Sequence, residues 1–74
     1  MKVTYDPEAD VLCFHLRDRP PVDAVEEPEG VIVSYGEDGD PVSVEFMDAA
    51  ERGLTSADEI SVTVQTAARQ FTAT

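Results

Sequence analysis

Cys13 and His15 are the single cysteine and the single histidine of this chain, and a thiol beside a base is what nucleophilic catalysis requires. Two residues apart in an extended segment, they share a face with Cβ atoms roughly 7 Å apart, too far for an easy hydrogen bond. No helix N-terminus is evident next to Cys13 to lower the thiol pKa. The pair is therefore expected to pack against a sheet rather than to react, and no catalytic residue is assigned. A structural zinc site needs four ligands, and these two residues fall short. One cysteine cannot form an intrachain disulfide, and an unpaired thiol points to a reducing, cytoplasmic setting.

Carboxylates are the other abundant chemistry. Asp6, Glu8 and Asp10 cluster near one turn, and Glu37, Asp38 and Asp40 near another. A glycosidase holds two carboxyls at a set separation within a substrate cleft, which a sheet this small has little surface to build. The second cluster lacks the twelve-residue spacing and bidentate glutamate of an EF-hand loop. Aspartates in such turns bond nearby backbone amides. The remaining role for these six residues is contact with a basic partner. No cofactor and no metal are expected.

Sixteen acidic residues against five basic ones give a formal charge of −11. That charge repels phosphate backbones and anionic lipid, so direct binding to nucleic acid or membrane is disfavoured. It attracts a basic protein, a cation, or a protein that itself grips nucleic acid. No run approaches the roughly 20 apolar residues of a membrane span, and Met1-Lys2-Val3 leads into a strand-like segment rather than a signal peptide. A non-enzymatic interaction module follows as the leading expectation, partnering itself or a basic protein. An inhibitor that mimics nucleic acid with its carboxylates is the alternative, and a small enzyme comes third.

The elements that position these groups are punctuated by turns. Seventy-four residues make one domain with a small core, since a chain this short buries only about 60% of its unfolded surface. Turn signals stand at Asp6-Pro7, Arg19-Pro20-Pro21, Glu27-Pro28-Glu29-Gly30, Gly36 to Pro41 and Gly53. The intervals are strand-length and predict an antiparallel β-meander of five or six strands, predominantly β within the α+β class. Val3 and Tyr5 alternate in a first strand. Residues 10–16 are apolar on both faces and read as a central strand, whereas 22–27, flanked by prolines and acidic, reads as an edge. Residues 31–35 and 42–46 form a hairpin around Asp38-Gly39, with Val42, Val44 and Phe46 facing the core. Asp48 to Gly53 is expected as a short helix with Asp48 at or near its N-cap and Gly53 as its stop. Beyond it, Ser56 and Glu59 fit a capping box, and helical spacing continues through Ile60, Val64 and Phe71. Strict alternation of β-branched residues over 60–66 argues instead for a strand, preceded by a helical turn at 56–59, and the tail after Ala68 is expected to fray.

Tyr5-Asp6-Pro7-Glu8-Ala9-Asp10-Val11-Leu12, then Gly30-Val31-Ile32-Val33, then Tyr35 to Gly39, then Val44-Glu45-Phe46-Met47-Asp48-Ala49 together resemble the DUF2283 family. These are small prokaryotic proteins also described as YuzE-like. The resemblance spans roughly residues 1–54. It implies a compact antiparallel sheet with one short helix, and it brings no catalytic residues. Some relatives are encoded beside small toxin-like proteins, so an antitoxin or accessory role is implied by association alone.

Overall fold

The computed structural model describes residues 1–56 and 59–67. Five strands form one antiparallel sheet: β1 (Lys2–Asp6), β2 (Val11–His15), β3 (Asp23–Glu27), β4 (Val31–Tyr35) and β5 (Pro41–Phe46). Their spatial order is β1-β2-β5-β4-β3. The expected meander is thereby corrected. Consecutive strands β3, β4 and β5 pair as hairpins, but the chain leaves β2 by a connection that skips two strand positions to the far edge, so that β5 closes against β2. The run β2-β5-β4-β3 is a Greek-key order. As expected, β2 is paired on both sides and β3 is an edge strand.

Register divides the sheet into two unlike faces. On one, Val3, Phe14, Val44, Val33 and Val25 are successive cross-strand partners over all five strands. Tyr5, Leu12, Phe46, Val31 and Glu27 form the neighbouring row on the same face. Phe14 and Phe46, diagonal on this face, meet edge to face with ring centroids 5.9 Å apart and planes at 82°. That is a favoured arrangement for aromatic quadrupoles. The opposite face carries Thr4, Cys13, Glu45, Ile32 and Glu26 in one row and Lys2, His15, Ser43, Ser34 and Ala24 in the next. Among the described residues the buried apolar side chains are Leu12, Cys13, Val42 and Ala49. Val44 and Phe46 are half-buried, so of the three residues expected to face the core only Val42 is fully enclosed.

Turn chemistry follows the residues. Gly39 holds φ +83° between β4 and β5, where Gly36 N–H donates to the Asp40 carbonyl at 2.9 Å and closes the loop. The expected helix at 48–53 is a single turn. Arg52 N–H donates to the Asp48 carbonyl, then Leu54 N–H reaches back to Ala49 and Gly53 N–H to Ala50, with Gly53 at φ +75°. Those last two bonds are the Schellman closure expected of Gly53, and it arrives too soon for a second turn to form. Asp48 sits at φ +54°, outside N-cap geometry.

The expected strand at 60–66 is also absent. Those residues have no ladder partner, and Val62 and Val64 are exposed. Alternation alone cannot make a strand where no neighbouring edge receives it. Of the expected turn at 56–59, residues 57–58 lie outside the described residues, but Glu59 N–H does donate to Ser56 Oγ at 3.2 Å. The expected frayed tail, 69–74, lies outside them as well.

Candidate functional site

The six acidic residues singled out from the sequence separate into distinct roles. Asp6 closes its own turn, its Oδ1 accepting the Glu8 and Ala9 amides at 3.0 and 3.3 Å. This is the local Asx bonding expected of such a residue. Asp10 works over a much longer range. Held at φ +57°, it accepts the Tyr5 hydroxyl at 2.7 Å and the Ala50 amide at 3.1 Å, while its own carbonyl accepts Ala49 N–H at 3.1 Å. It is the acceptor that the turn at 49–54 uses in place of Asp48. The Asp10 hydrogen bond is also the main reason the Tyr5 phenol titrates above its ordinary value.

Asp38 and Asp40 belong to a charged knot at the other end of the sheet. Arg19 Nη1 lies 2.9 Å from Asp38, and Arg17 Nη1 lies 3.1 Å from Asp40 and 3.6 Å from Asp38. The Asp40 amide donates to Asp38 Oδ1 at 3.1 Å. That backbone bond first, and the two guanidinium groups after it, hold the Asp38 carboxyl below the usual carboxylate range. The knot pins the β2–β3 connection to the β4–β5 loop. Glu8 and Glu37 are exposed and take no part in the ion pairs of the described residues.

Between these two ends lies a cleft of about 570 Å3 on the polar face. That volume is within the roughly 300–1,000 Å3 of small-molecule sites. Its floor comprises Thr4, Cys13, His15, Ser43 and Glu45, with Asp6 and Ala9 at one end and Arg17, Arg19 and Pro21 at the other. Cys13 and His15 do share this face, as their spacing predicts. Thr4 Oγ1 and His15 Nε2 form a hydrogen-bonded pair at 2.9 Å. Cys13 is only 8% exposed, and burial, aided by the facing Glu45, pushes its thiol pKa up. An upward shift is the reverse of what activates a nucleophilic thiol. Among the described residues no three metal-ligating side chains converge as an ion site.

Glu45, Ser43, Thr4 and the two arginines come from three separate segments of the chain, so no local cluster in the sequence marks them. The usable signal was alternation: residues 43 and 45 face the same way as 13 and 15 once β5 is laid beside β2.

These features define a small, single-sheet antiparallel protein with a Greek-key strand order, one apolar face and one cleft-bearing polar face. The chain belongs to the DUF2283 family, described as a protein of unknown function, whose family model matches residues 2–49. No curated protein and no solved structure matches it. The matched span covers all five strands, Asp10 and its partners Tyr5 and Ala49. No helix among the described residues is long and apolar enough to cross a membrane.

Proposed function

We propose that the protein is a non-enzymatic interaction module whose working surface is the β3 edge, where a basic, extended segment of a partner protein adds to the sheet. The observation that carries this reading is β3 itself. It is an edge strand whose five residues are all exposed, and it bears Asp23, Glu26 and Glu27 with Glu29 in the following turn. None of these four joins an ion pair among the described residues. An edge strand presents unpaired backbone donors and acceptors, here with the Ala24 N–H already held by Asp23 Oδ1 at 2.9 Å, and an added strand gains affinity from the rest and specificity from alternate side chains. Acidic residues on an edge repel a second copy of the same strand, because like charges set opposite one another destabilise a pair. A lysine- or arginine-bearing strand reverses that sign. The net charge of −11 further favours encounter with a basic partner.

The test is an amide chemical-shift titration with a short peptide that alternates lysine and valine. Salt-sensitive, saturable changes at residues 22–29 are expected, and the double reversal Glu26→Lys with Glu27→Lys removes them. Changes scattered evenly over the acidic surface, or unaffected by the reversal, defeat the proposal.

A further inference from the structure

The cleft on the polar face has an ordered charge pattern. Asp6 stands at one end, Arg17 and Arg19 close the other, and the carboxylate of Glu45 lies on the floor between them, in the row of Thr4 and Cys13. Glu45 is half-buried and, among the described residues, its side chain has neither an ion-pair partner nor a hydrogen bond, unlike those of Asp38 and Asp40. Arg17 and Arg19 are held in place through Nη1 alone. Each guanidinium has five N–H donors, so both retain donors for a second anion. Between the two ends the Thr4–His15 pair and Ser43 offer hydrogen-bonding groups beside apolar surface from Val11, Cys13 and Val42.

We infer that this cleft binds a short zwitterionic peptide lying along the strands, its ammonium group on Glu45 and its carboxylate on Arg17 and Arg19. The Glu45 and His15 rows are about 7 Å apart, and beyond His15 the ladder is bulged, with the Leu16 and Arg17 amides both donating to the Val42 carbonyl, so a short ligand suffices to run from Glu45 to the arginines. A ligand carrying only one charge satisfies one end of the cleft and leaves the other unmatched. The site is separate from the β3 edge, since no residue of β3 lines it.

The experiment is an amide chemical-shift titration of the intact chain with triglycine, N-acetyltriglycine and triglycinamide. Triglycine is expected to shift the amides of residues 13–17 and 43–45 saturably, and blocking either terminus to weaken it at least about tenfold, the loss of one matched charge. In Glu45→Gln, triglycine and its acetylated form should bind alike. In Arg17→Gln with Arg19→Gln, triglycine and its amide should bind alike. Equal affinity of all three peptides for the unaltered chain overturns the inference, as does the absence of a saturable shift up to about 10 mM. Shifts confined to residues 22–29 overturn it too, and would speak only for the β3 edge. The blocked peptides decide the matter on the unaltered chain even if a variant fails to fold.

Discussion

The carboxylate of Asp10 accepts the backbone N–H of Ala50, forty residues further along the chain, at 3.1 Å from one oxygen and 3.2 Å from the other. The same group accepts the Tyr5 hydroxyl. One side chain therefore joins the first hairpin to the turn that follows the last strand. Ala49, beside the bonded amide, is wholly buried.

Asp10→Ala is expected to destabilise the chain by about 1–3 kcal/mol, since it leaves a phenol and an amide without their acceptor. Tyr5→Phe should cost about 1 kcal/mol. Because both act through one carboxylate, the double variant should lose clearly less than the sum. Urea unfolding of the four proteins measures the coupling, and strict additivity would show that the Tyr5–Asp10 bond contributes nothing.

Leu12 is 4% exposed at the centre of the apolar face. Leu12→Ala is expected to cost about 2–5 kcal/mol, the range for emptying a core site. A domain of this size has little more than that in total, so the variant should be largely unfolded at 25 °C by amide chemical-shift dispersion. A variant with native dispersion would place the core elsewhere.

Cys13 should alkylate with iodoacetamide more slowly than a small model thiol at every pH from 7 to 9, because burial and the nearby Glu45 favour the protonated form. The linked effect on stability has a definite sign. The folded chain keeps the proton longer than the unfolded one, so stability is unaffected below the ordinary thiol pKa of about 9 and declines as pH rises past it. Cys13→Ala should flatten that alkaline decline, and thermal melts at pH 8 and pH 10 measure it.

Asp38 gives the opposite dependence. Its folded pKa is depressed, by the Asp40 amide first and then by the arginines, so its contribution is present above the ordinary value of 3.8 and is lost as pH falls through the folded one. Carbon-detected titration should show Asp38 losing its proton at lower pH than a model aspartate. Asp40→Ala keeps the backbone amide and should leave most of the shift in place, whereas Asp40→Pro, which removes the N–H that donates to Asp38, should diminish it.

Much of the sheet was legible because alternation and turn residues act over a few positions. Val31–Tyr35 and Pro41–Phe46 pair around Gly39 as their pattern predicts, and proline-flanked β3 lies at an edge. What escaped depends on distance along the chain. Nothing local to residues 11–46 states that β2 pairs with β5, so a meander and a Greek key look alike. Asp48 to Gly53 carries a good stop and a plausible cap, but the acceptor that serves Ala50 is Asp10. The alternating run at 60–66 has the composition of a strand without an edge to join.

The candidate site escaped for the same reason. Carboxylates that look free in a list of residues are committed to partners far away, Asp38 to Arg19 and Asp10 to Ala50. Glu45, which looks like an ordinary outward-facing strand residue, stands on the floor of a cleft assembled from four strands.

The central position of β5 has a consequence for the order of events during synthesis. The β1–β2 hairpin and the β3–β4 hairpin are both complete on the ribosome before the strand that must lie between them has been made. Until Pro41–Phe46 emerges, each hairpin has both of its edges unpaired and neither is stable alone in water. The last strand acts as a keystone. Assembly waits on its arrival, and a nascent chain stalled before Phe46 should remain sensitive to protease however long it is left.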